Sequence, residues 1–305
     1  MTSWAELPEE LIGLVVKRLV GHHDLTDYFS FRGVCRQWRS VASEKHSYAG
    51  VSGYKVPWLM MAEKENSDDR LRKVFVRKAI RLSTANDNCI VLGIYSQYGK
   101  LAIAKPADKT WMTLECPPGH HQDIICFKDQ VHAVDAYGIL RICNITSIQP
   151  NAVDFASPPE EFEAADTLYL VEISGDLHLI LRVDFRNRDD DGVGDPCQSE
   201  NDDSHIFEIY QLDFCTKRWE ELDGSIGHAL FLGTNCSFSL PVSDYSELKG
   251  NCVYFTDDYS DIWEFGGGCS TGIYNFEDQK VEFINLGLDM HSMFSPPLWI
   301  TPNLC

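Results

Sequence analysis

The stretch VFVRKAIRLSTANDNCIVLGIYSQYGKLAIAKPADKTWMTLE, residues 74–115, decides the fold of most of this chain. It contains short runs rich in β-branched and aromatic residues, separated by turn residues such as Tyr98-Gly99-Lys100. Runs of this length and composition, bounded by turns, predict β-strands. We predict four consecutive strands within this stretch, at residues 74–83, 89–96, 100–106 and 110–115.

Three further groups of similar runs follow it. Their strands are predicted within residues 123–157, 167–223 and 229–286, and the run PPLWITP at 296–302 closes the chain. The related sequences KTW at Lys109 to Trp111 and KRW at Lys217 to Trp219 each come just before the last strand of a group. Four-strand units that repeat every 40 to 60 residues or so are typical of β-propeller blades. A β-sandwich or two stacked barrels is the alternative architecture.

The N-terminal region has a different periodicity. Its apolar residues recur at helical spacing, which predicts three short amphipathic helices: Leu11, Ile12, Val15, Val16 and Leu19 on the first, Leu25, Tyr28 and Phe29 on the second, and Val34, Cys35, Trp38 and Val41 on the third. Pro8 suits a first helical turn, and Asp24 can cap the second helix. We predict an all-α module at residues 1–44, a linker at 45–56 and an all-β domain at 57–305. A module this small buries little core, so it should need a partner.

Charge is distributed unevenly. The net charge of the chain is −20. Residues 1–57 carry seven basic and six acidic residues, whereas residues 58–305 carry nineteen and forty. The acidic second part argues against nucleic-acid and anionic-membrane partners, and it favours basic protein partners. It includes the acidic stretch 186–204, which we interpret as an insertion between strands.

Two further features indicate an intracellular protein, cytoplasmic and/or nuclear. No apolar run reaches the length of about 18 residues that suggests a membrane helix, and the N-terminus does not have the pattern of a secretory leader. The eleven cysteines form no C-x-x-C pair. In a reducing compartment they are expected to be small buried apolar residues, and not disulfides or zinc ligands.

The N-terminal motif WAELPEELIGLVVKRL, followed by DLTDYFSFRGVCRQWRS, resembles an F-box, the helical module that binds a Skp-type adaptor in cullin-RING ubiquitin ligases. The later runs LGIYSQYGKLAIAKPADKTW, HALFLGTNCSFSLPVSDY, GNCVYFTDD and PPLWITP resemble the propeller domain of a plant F-box family that includes the brassinosteroid kinase-interacting F-box proteins. The resemblance covers nearly the whole chain. An ordinary three-helix subdomain packed on its own chain is the alternative for the N-terminal module.

The chain departs from that family at one place. The resemblance implies a further blade between the PWLMM run and the strand that contains Ala79, but only about seventeen residues separate Met61 from Ala79. One blade is therefore expected to be missing. Because a propeller closes its ring by pairing its two ends, we predict four full blades and a partial one, formed by Pro57 to Met61 with Pro297 to Thr301.

The resemblance also implies a set of functional residues. We expect the following to bind the adaptor or form the core of the module: Leu7, Pro8, Leu11, Ile12, Leu19, Val34, Cys35 and Trp38. The function it implies is the substrate-recognition subunit of an SCF-type ubiquitin ligase, a non-catalytic role in which the propeller holds a protein substrate. The alternatives are a propeller enzyme or ligand-binding module with an incidental helical cap, and a truncated receptor that only competes for adaptor.

Several other motifs resemble chemical sites but lack a required residue or spacing. The segment NRDDDGVGDPCQ at residues 187–198 resembles a calcium loop, but its twelfth position is Gln198 and not glutamate. Gly266-Gly267-Gly268 lacks the lysine of a phosphate loop. The pairs His22-His23 and His120-His121 have the wrong spacing for one-face metal binding, so we expect exposed loop residues. Asp257-Asp258 is better explained as turn capping than as an acid/base pair. We therefore predict no cofactor, metal or catalytic residue.

Overall fold

The computed structural model describes residues 58–60, 76–184, 205–256, 271–284 and 298–300, apart from short gaps at 84–88, 97, 106–107, 161, 163–164, 166 and 246–247. The chain divides into two compact units, one of Met1–Trp58 with Ile300–Cys305 and one of Leu59–Trp299. Nearly all described residues belong to the second unit, which is all-β. In this part of the chain, no helix is long and apolar enough to cross a membrane.

Four sheets follow one another along the second unit, and we call them blades 1 to 4. Blade 1 consists of β2 (Val76–Ser83), β3 (Cys89–Tyr95), β4 (Lys100–Ala104) and β5 (Met112–Thr113). Blade 2 consists of β6 (His121–Phe127), β7 (Gln130–Asp135), β8 (Leu140–Asn144) and β9 (Asn151–Ala156). Blade 3 consists of β10 (Thr167–Ile173), β11 (Asp176–Asp184), β12 (His205–Asp213) and β13 (Arg218–Leu222). Each is an antiparallel meander in chain order.

Blade 4 has an additional inner strand. It consists of β14 (His228–Leu232), β15 (Phe238–Pro241), β16 (Cys252–Phe255), β17 (Gly272–Asn275) and β18 (Lys280–Phe283), with a single 3-10 turn at Val242–Asp244. The order across the sheet is β15-β14-β16-β17-β18. Strand β14 is antiparallel to β15 and parallel to β16, so the chain crosses over between them. The sequence predicted these five strands but not the crossover.

The apolar cores lie between neighbouring blades. Successive side chains of a strand point to opposite faces of its sheet, so a blade can pack against a neighbour on either side. One cluster joins blades 1 and 2 and includes Leu92, Leu101, Ile124 and Ala133. A second joins blades 2 and 3 through Phe127, Leu140, Leu168 and Leu179, and a third joins blades 3 and 4 through Val171, Phe207, Leu230 and Phe255. Face-to-face packing of successive four-stranded sheets is the architecture of a β-propeller, as predicted.

The two ends of this unit form the predicted partial blade. Strand β1 (Trp58–Met60) and strand β19 (Leu298–Ile300) form a two-stranded sheet. Trp299 is 5% exposed, and its ring packs edge-on against Phe231 of blade 4 with the centroids 5.1 Å apart. The prediction of four full blades and one partial blade made by the chain ends is therefore confirmed for the described residues.

Candidate functional site

Most predicted sites lie outside the described residues. These are the adaptor-binding residues Leu7, Pro8, Leu11, Ile12, Leu19, Val34, Cys35 and Trp38, the module 1–44, the linker 45–56, and the acidic segment 186–204 with its calcium-like loop. The pairs His22-His23 and Asp257-Asp258 and the three glycines at 266–268 also lie outside them. The structure therefore tests the sites within the blades.

A buried ion pair connects the innermost strands of the first three blades. Lys78 on β2 donates a hydrogen bond to Asp123 Oδ1 on β6, and the two side chains are only 6% and 3% exposed. Asp123 also accepts hydrogen bonds from the Ile124 backbone N–H at 2.7 Å and from the Leu170 N–H of blade 3 at 2.8 Å. This carboxylate therefore links three blades and has three donors around it.

Local irregularities in the strands explain how this pair forms. The pairing of β6 with β7 shifts register between His121 and Asp123, and that of β2 with β3 shifts between Val76 and Lys78. A β-bulge redirects the side chains next to it. Beside Asp123, Gln122 Oε1 accepts a hydrogen bond from Leu168 N–H at 2.7 Å. The bulge in β6 thus allows two successive side chains to bond to the next blade.

A second buried polar cluster surrounds Arg141 in blade 2. Its Nη1 donates to Asp135 Oδ2 at 2.7 Å and its Nε donates to Asp154 Oδ1 at 2.8 Å. Nη1 also lies 3.2 Å from His121 Nε2, and His121 Nδ1 lies 2.8 Å from Gly99 O of blade 1. Because Nε2 faces a donor, the imidazole proton is on Nδ1 and is donated to the Gly99 carbonyl.

The expectation that the pair His120-His121 is exposed was wrong for His121. This residue begins β6 and is completely buried, whereas His120 is half-buried. Burial, the largest influence, lowers the pKa of the His121 imidazole, and the nearby Arg141 charge lowers it further. His121 is therefore neutral at pH 7, in keeping with its two hydrogen bonds. Its role is to join blades 1 and 2.

Gly119 allows this cluster to close. A Cβ built on Gly119 would lie 2.7 Å from both Arg141 Nη1 and Asp135 Oδ2. Real Cβ atoms do not approach other heavy atoms so closely, so only glycine fits over the ion pair. The backbone preceding β6 is thereby held directly on the Arg141–Asp135 pair.

Blade 4 is joined to its neighbours by similar contacts. Arg182 of β11 is completely buried, lies 4.6 Å from the centre of the Phe255 ring, and donates from Nη1 to Thr256 O at 2.9 Å. Trp299 Nε1 donates to Leu232 O at 2.9 Å, and Asn235 Nδ2 donates to Trp299 O at 3.0 Å. Cys236 Sγ also donates to Trp299 O at 3.7 Å, so Trp299 attaches the partial blade through three hydrogen bonds.

The described cysteines only partly match the expectation of buried apolar residues. Cys143 and Cys252 are buried, and burial raises the pKa of Cys143 to about 12. Cys126 and Cys215 are exposed; the first lies near the end of β6 and the second in the turn between β12 and β13. Within the described ranges, no three His, Cys, Asp or Glu side chains are grouped so that they could hold a metal ion.

Five charged residues of these clusters were not predicted as functional from the sequence: Lys78, Asp123, Asp135, Arg141 and Arg182. Each lies within or at the end of a run predicted as a strand, and that position was the available signal. Burial of a charge in such a run requires a partner of opposite sign or a hydrogen-bonding group. Which group becomes the partner of each buried charge depends on how the blades stack. The sequence around each charged residue does not specify this stacking.

These observations define a β-propeller protein with buried polar links between its blades, and comparison with known proteins assigns it to a family. Residues 28–275 match the family model described as the KIB1-4 beta-propeller, and residues 4–49 match the F-box domain. The chain belongs to the KIB1-4 beta-propeller family and carries an N-terminal F-box. The resemblance noted in the sequence is thereby confirmed, whereas the boundaries at residues 44 and 56 stay predictions.

Three relatives from Arabidopsis thaliana illustrate the match. The chain is 26% identical over 256 residues to the putative F-box protein At5g55150, covering 83% of this chain and 67% of that protein. It is 25% identical to the F-box protein SKIP23 over 399 residues, covering 99% and 96%, and 26% identical to the F-box protein At2g17036 over 223 residues, covering 71% and 54%. The alignment with SKIP23 is longer than this chain of 305 residues, so SKIP23 has stretches without a counterpart here.

Proposed function

We propose that this chain is the substrate-recognition subunit of an SCF-type cullin-RING ubiquitin ligase. Its F-box would bind a Skp-type adaptor, and through it a cullin, while the propeller holds a protein substrate. The observation that carries the proposal is the presence of an F-box at residues 4–49 on the same chain as a propeller of the KIB1-4 family. The role would be exercised in the cytoplasm, the nucleus or both.

In this role the chain contributes proximity and no reacting group. Holding a substrate near a separate ubiquitin-transferring enzyme raises the effective concentration of the two, and this alone accelerates transfer. The alternative, a propeller enzyme, would require polar groups that converge on a substrate, whereas Asp123 of β6, Asp135 of β7 and Arg141 of β8 bond to other groups of the protein.

Capture of a purified Skp-type adaptor by the full chain tests the proposal. We expect the wild type to retain the adaptor and the double variant Leu7→Ala with Pro8→Ala to lose it. A matched control is the double variant Tyr98→Ala with Tyr137→Ala, because both tyrosines are about two-thirds exposed on propeller turns, at 63% and 66%. Equal capture by the wild type and the Leu7/Pro8 variant would refute the proposed docking residues, and absence of capture by the wild type would refute the role.

The alignment with SKIP23 also favours a second candidate, a shortened receptor that competes for adaptor without binding substrate. Loss of a blade could have removed part of a substrate surface. The two candidates differ in ubiquitin transfer. A receptor supports ubiquitination of a protein that it retains, whereas a competitor lowers transfer by another F-box protein when both are present. Reconstitution with a second F-box protein of known substrate separates them.

A further inference from the structure

Blade 1 differs from the other blades in charge. Residues 76–115, which contain it, carry six basic and three acidic residues. The corresponding counts are two and four for residues 116–156, five and fourteen for residues 167–222, and two and nine for residues 228–283. In a chain of net charge −20, blade 1 is therefore the single blade with a net positive charge.

The innermost strand of blade 1 also has an exposed face. Along β2, Lys78 and Leu82 are buried, with Lys78 bonded to Asp123 of blade 2, whereas Ala79 and Arg81 on the opposite face are exposed. The inner strand of blade 3 is buried on both faces, because blades 2 and 4 cover it. Arg77 is also exposed, but it lies at the register shift of β2 and bonds to His120 beside blade 2, so it does not belong to this face.

Trp111 packs on the middle of this face. Ala79, Gly93 and Ala102 lie opposite one another on β2, β3 and β4; Gly93 and Ala102 are buried, and the ring of Trp111 approaches the position of a Gly93 Cβ to 3.4 Å. Trp111 itself is 49% exposed. Lys100 pairs with Tyr95 at the end of the same face and is exposed. We call this surface the open face, defined by Ala79, Arg81, Tyr95, Lys100 and Trp111.

The basic groups of the open face are spaced to contact an extended chain. Arg81 is paired with Val91 and Lys100 with Tyr95, so the two basic residues are four positions apart along β3, about 13 Å at the rise of a β-strand. Arg81 is exposed and forms no hydrogen bond or ion pair with another described residue. Guanidinium groups bind carboxylates through two parallel hydrogen bonds.

We propose that the open face of blade 1 binds an extended segment of the protein substrate that is rich in aspartate and glutamate. Acidic side chains on one face of the segment would meet Arg81 and Lys100, while the small exposed side chain of Ala79 allows close backbone approach beside Trp111. A nucleic acid is disfavoured, because the three acidic blades repel a long polyanion. The proposal rests on the proposed receptor function and names its substrate class.

Binding of a defined peptide to the full chain tests it. The probe is a fluorescein-labelled peptide of about 12 residues with alternating glutamate and serine, which places its carboxylates on one face when extended. A second peptide has glutamine in place of glutamate. Arg81→Glu is the test variant, and Lys280→Glu on the exposed end of blade 4 is its control with the same charge change. Fluorescence anisotropy gives the dissociation constants.

We expect the glutamate peptide to bind and the glutamine peptide not to bind. Arg81→Glu should weaken binding by at least about fivefold, and Lys280→Glu by less than about twofold. Equal weakening by the two variants, or absence of binding by the glutamate peptide, overturns the proposal. Tighter binding of a single-stranded DNA of equal charge, or of a phosphoserine peptide, also overturns it. Self-association of the wild type that Arg81→Glu abolishes does the same, because each of these results assigns the face to another occupant.

The same preparations separate this inference from the proposed function. Arg81 lies outside the F-box match at residues 4–49, so Arg81→Glu should capture the Skp-type adaptor as well as the wild type does. If Arg81→Glu loses peptide binding but still captures the adaptor, the result bears on the open face alone. Failure of adaptor capture by the wild type concerns the receptor role, whatever the peptide does.

Discussion

Replacing Asp123 by alanine would remove the carboxylate that links blades 1, 2 and 3. Lys78 would then be left as a buried ammonium group with a side chain only 6% exposed, and the Leu170 N–H would lose its acceptor. Removing one partner of a buried ion pair costs about 3–5 kcal/mol, because the other charge is left without compensation. We expect Asp123→Ala to lower the free energy of unfolding by about this amount.

Asp154 provides the matched control. It also forms an ion pair with a buried arginine, but its own side chain is 57% exposed and Arg141 keeps Asp135 as a second partner. Asp154→Ala should therefore cost about 1 kcal/mol or less. The double variant Lys78→Met with Asp123→Leu should cost less than Asp123→Ala alone, because no charge is left buried.

The assay is urea unfolding of the full chain, followed by tryptophan fluorescence. The reasoning predicts a large shift of the midpoint for Asp123→Ala, a small one for Asp154→Ala, and partial recovery in the double variant. If Asp123→Ala is no more destabilising than Asp154→Ala, the pair does not hold the blades together. A double variant that is less stable than Asp123→Ala would also contradict the proposed cost of an uncompensated charge.

Further predictions concern the turns, the partial blade and one histidine. Gly224→Ala should lower the free energy of unfolding by about 2 kcal/mol or more, because φ is +80° and a Cβ would lie 2.4 Å from the Phe276 ring. Gly175→Ala is the control: φ is +87° but no atom lies within 4 Å of the new Cβ, so the cost should be only about 1 kcal/mol. Trp299→Ala should cost about 3–5 kcal/mol in the same unfolding assay, and a cost below that of Gly175→Ala would mean that the partial blade does not pack on blade 4. Burial lowers the pKa of the His178 imidazole below its ordinary 6.5. As the pH falls below this value, the unfolded chain therefore binds the proton before the folded chain does, and the free energy of unfolding decreases. Between about pH 7.5 and 5.5, His178→Gln should lose less of this free energy than the wild type does.

The sequence predicted the strands of the propeller well, because each strand is marked by its own composition. The run TLYLVEI is strand β10 with the predicted bounds, and HIFEIYQLD is β12. The pairing of the chain ends followed from a general requirement of propellers. In all these cases the information is local or topological, so no knowledge of side-chain packing was needed.

The sequence did not predict the features that depend on contacts between blades. The crossover in blade 4 leaves no mark in the strand pattern, since the composition of ALFLG and SFSLP is the same whichever neighbour they pair with. The burial of His121 depends on the position of Arg141, twenty residues later. The exposure of Ala79 and Arg81 on the open face depends on how the sheets are arranged around β2. These properties follow from the arrangement of whole sheets.

The receptor role is tested most directly by assembly from purified parts. The full chain is mixed with a Skp-type adaptor and a cullin, and the mixture is separated by size-exclusion chromatography with light scattering. We predict that the three proteins elute together with one copy of each, and that the Leu7→Ala with Pro8→Ala variant elutes apart from the other two. Elution of the wild-type chain apart from an intact adaptor–cullin complex would contradict the account.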